Sequence, residues 1–350
     1  MPQKNSQNDV LKTQATCEPA AEPATAGSIL NRREALIKLL RLGGVAAGTA
    51  GLGFWLSERS HHPEPELAIN VKRSHAVSVD PAWPEMAVIQ GDDAERLART
   101  AIEELGGMHR FVSRGDLVLV KPNIGWDRTP EQAANSNPSV VAEIIRQCWN
   151  AGAKRIIVTD VSCNDPRRCF QRSGIAEASR REGAEVILPD PARFRDVDLQ
   201  GEVLRDWPVF DPFLSADKII NVPIAKHHSL TGATLGMKNW YGILGGARHQ
   251  LHQKIHQSLA DLADFIRPTL TVIDCYRVLI RNGPTGGNLD DVLLKKTLVA
   301  GTDPVALDAY VAKAYWNLEV SSLPYLQMAA QRGLGTYEFG KVRTRVRSIA

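Results

Sequence analysis

The sequence predicts an α/β fold in which helices cover both faces of a mostly parallel sheet. Three observations predict it. From about Ala76 onward, short apolar runs alternate with segments of helical period. Several of those runs are continuously apolar, as strands buried on both faces require. The helical segments carry their own punctuation, Asp or Asn before them and Gly or Pro at their ends. In such sheets ligands bind beyond the carboxyl ends of the strands, so the fold class also predicts where a ligand crevice lies.

The elements follow in order. "DDAERLARTAIEELGG" sets Leu97, Ala101, Ile102 and Leu105 on one helical face, with Asp92 as its cap and Gly106 as its stop. "DLVLVKPN" is a buried strand, and "NPSVVAEIIRQCWNAGA" a helix capped by Asn137, with Pro138 at its first position and Gly152 at its end. "RIIVTD" is the next strand, and "GIAEASRREGAEVILPD" supplies a helix and a further strand. Then come the strand "DKIINVP", the helix "HQKIHQSLADLADFI" and the strand "TLTVID". The strand "KTLVAG" leads into "DPVALDAYVAKAYW", a helix capped by Asp303. The basic tail "KVRTRVRSIA" alternates basic and apolar residues, the pattern of an edge strand rather than of a DNA contact.

Four strand ends deliver polar groups that a parallel sheet would bring together. They are Lys121 with Asn123, Asp160, then Lys226 with His227 and His228, and Asp274. The stretch "AKHHSLTGATLGMKNWYG", Ala225 to Gly242, has no helix or strand period and reads as an irregular segment lining a ligand site. Gly232, Gly236 and Gly242 would let the backbone approach a ligand closely. Lys226 and Lys238 are point positive charges, and Thr231 and Asn239 can hydrogen-bond, a set suited to a carboxylate or phosphate. Neither a P-loop nor a dinucleotide fingerprint is present. His249, His252 and His256 are spaced to share one helical face. That face either binds a transition metal, completed by His227 or His228, or is a polar helix surface. Any of these histidines can exchange a proton near neutral pH. The Gly/Pro-dense "RNGPTGGNLDD" is a loop placed to close over the crevice.

Composition narrows the function classes. Apolar residues at 43% and charged residues at 23% of 350 are those of an ordinary globular protein, and a net charge of +3 is too small to argue for nucleic acid. The five cysteines form no C-x-x-C pair, which removes support for an iron–sulfur cluster. Cys163 and Cys169 share one polar loop and either pair in an oxidising compartment or stay separate thiols. Near the N-terminus, Arg32 and Arg33 precede a moderately apolar Gly/Ala-rich run ending at Leu56. This resembles a twin-arginine export signal. Residues 1–56 are therefore expected to be a lead-in and signal, 57–84 a linker and 85–350 the α/β domain. The protein is expected to be periplasmic, or held at the outer side of the cytoplasmic membrane by an uncleaved leader. Its expected partners are the twin-arginine export machinery and a small-molecule ligand.

The chain resembles the domain of unknown function 362 family from roughly Met86 to Trp316. The resemblance rests on "VKPN", "NPSVVAEIIRQCWNAGAKRIIVTD", "DKIINVPIAKHHSLTGATLGMKNWYG", "LADFIRPTLTVID", "NGPTGG" and "AGTDPVALDAY". Two departures stand out. Many relatives have Glu-Gly just before the Gly-Pro, where this chain has Arg281 and Asn282, and some relatives carry ferredoxin-type cysteines that this chain lacks. The expected function is that of an enzyme on a small anionic substrate, with a metal or organic cofactor. Lys121 and Lys238 would hold the anion, Asn123 and Asn239 would orient it, and Asp160, Lys226, His227 and Thr231 complete the expected substrate-binding set. His228 or His252 would move a proton, and Asp160 and Asp274 would orient a histidine or hold a cation. The alternative is a non-catalytic binding or assembly factor in a redox or cofactor-maturation system.

Overall fold

A computed structural model describes Arg33 and residues 73–350. The chain divides into two units, 1–64 and 65–350. Apart from Arg33, the expected twin-arginine leader lies outside the described residues, as do Cys17 and most of the expected linker. Residues 73–74 of that linker form β1 (Arg73–Ser74), and the next residue, His75, is buried.

After β2 (Met86–Gln90) comes α1 (Ala94–Glu104). Its cap is Asp93 rather than Asp92, because Asp93 is the carboxylate that accepts the N–H groups of Glu95 and Arg96. Such a cap contributes about 1 kcal/mol. Next are β3 (Leu117–Pro122), α2 (Pro138–Asn150), β4 (Arg155–Val158), α3 (Pro166–Arg172), α4 (Ile175–Arg181) and β5 (Glu185–Val186). Asn137 caps α2, Pro138 opens it, and Gly152 follows it with a positive φ. A side hairpin, β6 (Phe194–Asp198) with β7 (Asp206–Phe210), and the short α5 (Pro212–Ser215) precede β8 (Lys218–Val222). Then follow β9 (Ile224–His228), β10 (Gly232–Thr234), α6 (Ile255–Phe265), β11 (Ile266–Arg267) and β12 (Leu270–Leu279). The chain closes with β13 (Val292–Gly301), α7 (Pro304–Trp316) capped by Asp303, α8 (Pro324–Gln331) and β14 (Thr344–Ser348).

The main sheet runs β14-β2-β13-β12-β8-β3-β4-β5. From β12 outward to β5 every pairing is parallel, and β13 is the one antiparallel strand of that path. The mostly parallel α/β architecture expected from the sequence is therefore present. Period-two alternation divides the apolar side chains between two cores. Val118, Val120, Ile220 and Ile89 face α1 and α2, whereas Leu119, Ile219, Val88 and Ile273 face the core of α6, α7 and α8.

One strand differs from expectation. The run "TLTVID" does not end at Asp274, since β12 continues to Leu279 on the long antiparallel ladder of β13. The basic tail is an edge strand, pairing in parallel with β2 and exposed along its length. Its arginines turn to the protein's own acids, Arg345 and Arg347 to Glu104 and Arg343 to Glu85. Among the described residues no helix is long and apolar enough to cross a membrane.

Candidate functional site

A cavity of about 990 Å³ opens beyond the carboxyl ends of β3 and β4, beside β9 and under the loop that carries Pro284. The stretch from Ala225 to Gly242 forms one wall. It is not irregular. It is most of β9, a turn, β10, and a 3-10 helix at Lys238–Ile243. Strand alternation in β9 sends Lys226 and His228 to the cavity and His227 the other way. There the Nδ1 atom of His227 accepts the Gly283 N–H at 3.2 Å, so His227 secures the Gly/Pro loop and is not part of the cavity wall.

A polar chain, buried except at Asn123, underlies the site. Lys121 Nζ donates to Asp160 Oδ1 at 2.6 Å, to Asn239 Oδ1 at 3.1 Å and to the Pro122 carbonyl at 3.0 Å. All three of its donors are used and its charge is neutralised, so Lys121 braces the site and does not hold an anion. Asp160 accepts the Ile124 N–H through its other oxygen at 2.6 Å, joining β3 to β4. Asn239 accepts from Asn123 Nδ2 at 2.9 Å and donates to Asn221 Oδ1 at 2.8 Å. Asn123 Oδ1 in turn accepts from Lys226 Nζ at 2.9 Å.

Two lysines differ from Lys121. Lys226 is 1% exposed and donates to Asn123 Oδ1 and, at 2.5 Å, to the Ala134 carbonyl, leaving one N–H. Lys238 is 9% exposed and lies with its Nζ 4.7 Å from the Tyr241 ring centroid, a cation–π contact. Among the described residues neither lysine has a carboxylate within ion-pair distance, and no hydrogen bond from Lys238 Nζ is formed. Burial pushes the Lys226 ammonium down to about 7 and that of Lys238 down to about 8. Arg248 adds a third cation. Its guanidinium donates to the carbonyls of Val161, Tyr241 and Ser162 and likewise meets no carboxylate. Thr234, opposite Lys226 in the β9–β10 hairpin, lines the cavity with a buried hydroxyl that lacks a hydrogen-bond partner.

Two of the three histidines that line the cavity, His228 and His252, have defined tautomers. His228 Nδ1 accepts the N–H groups of Leu230 at 3.2 Å and Thr231 at 3.4 Å, so a neutral ring carries its proton on Nε2. Burial, then the Lys238 charge, push this imidazole down to about 2. His252 Nδ1 lies 3.0 Å from the His249 carbonyl, which can only accept, so the His252 lone pair is on Nε2. Burial lowers His252 as well. The rings stack with centroids 6.1 Å apart, and Tyr241 meets His252 edge-on at 5.6 Å. The pair presents one donor and one acceptor, oriented by main-chain groups rather than by Asp274.

Asp274 lies within β12 and is fully engaged. It accepts the Asn137 N–H at 2.8 Å and the Tyr276 N–H at 2.9 Å, which ties the start of α2 to the sheet. Thr231 shapes the turn after His228 without lining the cavity. His249 and His252 sit on a 3-10 helix at Arg248–Lys254, not on the α-helix that the spacing suggests. His249 and His252 line the cavity, but His256, one element later, stacks on Tyr325 away from it. Among the described residues no group of three or more His, Cys, Asp or Glu is arranged to hold a metal ion. Cys163 and Cys169 are both free thiols. Arg281 and Asn282 jointly bind Asp291, at 2.6 and 2.9 Å, outside the cavity.

The glycines serve the frame. A Cβ at Gly242 would lie 1.9 Å from Asp160 Oδ1, and one at Gly236 would lie 2.8 Å from Asp308 Oδ1. The close approaches are to buried carboxylates, not to a ligand. Asp308, from α7, accepts the N–H groups of Gly236 at 2.8 Å and Met237 at 3.0 Å, immediately before Lys238. Sequence reasoning missed Thr234 and Arg248. The β9 alternation, extended across its hairpin, would have found Thr234, whereas no local signal marks Arg248.

A model of the domain of unknown function (DUF362) matches residues 118–313. A thylakoid-associated protein of Synechocystis sp. (strain ATCC 27184 / PCC 6803 / Kazusa) is 29% identical over 246 residues, 68% of this chain and 74% of that protein. The lactate racemase apoprotein of Thermoanaerobacterium thermosaccharolyticum is similar in structure at 11% identity, with a TM-score of 0.40. That similarity covers 71% of this chain and 60% of the other.

Proposed function

The chain belongs to the domain of unknown function 362 family, and from that membership and this geometry we propose that it is an enzyme acting on a small anionic substrate in the cavity. One observation carries the reading: Lys226 and Lys238 are buried against the cavity with no described carboxylate to balance them. Uncompensated buried ammonium groups are costly, and an anion from solution is the partner that removes the cost. Lys238 and the remaining Lys226 N–H bind the anion, Arg248 adds to the field, and Thr234 Oγ1 hydrogen-bonds it. His228 donates from Nε2, and His252 Nε2 accepts a proton. The buried Lys121–Asp160 pair keeps this wall rigid.

Titration of the full chain with sulfate tests the proposal. Binding is expected, and Lys238→Met is expected to abolish it with the thermal midpoint within about 4 °C of the parent's. Undiminished sulfate binding in that variant would remove the anchor of the reading. Native mass spectrometry with elemental analysis identifies any resident metal or organic cofactor. A ligand that binds and leaves chemically unchanged would instead point to a binding or assembly factor.

The proposal includes export through the twin-arginine machinery. Replacing Arg32 and Arg33 with lysine is expected to retain the protein in the cytoplasm, and unchanged fractionation of that variant would remove this part.

A further inference from the structure

The cavity contains a nucleophile that the reading above does not use. Cys163 is a free, exposed thiol on the cavity wall, just beyond β4. Its N–H donates to the Gly125 carbonyl at 2.9 Å, which fixes the backbone there. Arg248 Nη2 lies 3.7 Å from its Sγ, and the same guanidinium is locked by three carbonyls. Cys148, Cys169 and Cys275 are buried, so among the described residues Cys163 is the one exposed thiol. Independently of the thiol, the wall holds groups that await a ligand: the Thr234 hydroxyl without a partner and the nearly buried Lys238 ammonium without a hydrogen bond.

The geometry points to Cys163 as the nucleophile that captures a small anionic disulfide in this cavity. The inference rests on the proposed anion site. In the exchange, Cys163 Sγ attacks one sulfur of RS–SR, an Sγ–S bond forms, the RS–SR bond breaks, and RS⁻ leaves with the electron pair. The Cys163 proton goes to solvent, and the disulfide itself is the oxidant. The alternative chemistry for a cysteine is acyl transfer, which needs a general base within hydrogen-bond reach of the sulfur. Among the described residues no histidine hydrogen-bonds Cys163 Sγ, and its close polar neighbour is a guanidinium, which does not accept a proton. Disulfide exchange has no such requirement. It gains from cations that attract an anionic reagent and stabilise the departing thiolate.

The test uses the full chain and three small aliphatic disulfides: glutathione disulfide, which is anionic, hydroxyethyl disulfide, which is neutral, and cystamine, which is cationic. Intact-mass spectrometry follows adduct formation, and peptide mapping separates Cys163 from Cys17. The expected result is an adduct at Cys163 that forms about tenfold faster with the anionic than with the neutral reagent, and slowest with the cationic one. Lys238→Met is expected to flatten that order, and Cys163→Ser to remove the adduct. Charge-independent rates, or no adduct at Cys163, would overturn the inference. Sulfate titration of the same preparation separates the two failures. Sulfate binding together with charge-independent rates rejects the nucleophile and keeps the anion site, whereas loss of both rejects the anion site as well.

Discussion

Lys121, Lys226 and Lys238 all carry the same side chain within one site, yet their surroundings assign them different work. Lys121 spends its three donors on Asp160, Asn239 and a carbonyl. Lys226 keeps one donor back, and Lys238 rests on an aromatic ring with none engaged. This difference has a pH signature. Burial depresses Lys226 to about 7 and Lys238 to about 8, so both lose their charge as pH rises through that interval. Sulfate stays ionised throughout, so its affinity is expected to fall steadily from below pH 7 to above pH 8. A bound anion favours the charged amines, so binding near pH 8 is expected to take up protons. Calorimetry in buffers of different ionisation enthalpy measures that uptake, and a zero value would contradict the lysine assignment. His228, pushed down to about 2, contributes no titration in this range.

At the scale of elements, the site depends on how closely the 3-10 helix at Lys238–Ile243 approaches its neighbours. Its Gly242 lies where a Cβ would enter the Lys121–Asp160 pair at 1.9 Å from the carboxylate. Gly242→Ala is therefore expected to break the buried pair and prevent stable folding, whereas Gly340→Ala, with nothing within 4 Å, is expected to be silent in a thermal melt. Asp308 holds the start of the same segment by two N–H groups. Asp308→Ala leaves both without an acceptor and is expected to cost about 2–4 kcal/mol in denaturant unfolding. Anion affinity is expected to fall with it, since Lys238 follows directly. A variant with native stability and native affinity would show that α7 does not position the site.

Across the whole molecule, the long path from β14 to β4 separates the β14 edge of the sheet from its chemistry. β14 covers the β2 edge with five exposed residues, far along the strand order from β3 and β4. Truncation after Val342 is expected to leave sulfate binding intact while exposing the β2 edge to pairing with another chain. Size-exclusion chromatography would then show self-association, and a monodisperse monomer would contradict this role for β14.

The sequence by itself determined the α/β class, the mostly parallel order and the side of the sheet on which the cavity lies. These follow from local quantities: hydrophobic period, the Asn137 and Asp303 caps, and polar residues placed just after apolar runs. Lys226, His228, Lys238 and Asn239 were legible for the same reason, because they sit together in one stretch. What only the tertiary structure decided was the partner of each charge. Asp160 takes Lys121 out of ligand binding across 39 positions of sequence, and Arg248 and Cys163 meet from segments 85 positions apart. His256 leaves the histidine group because the helix changes from 3-10 to α between His252 and His256, which turns its ring towards Tyr325. Asp274 leaves the site because its strand runs on beneath it. Pairing and desolvation depend on contacts distant in sequence, and those contacts decide whether a buried charge braces the frame or awaits a ligand.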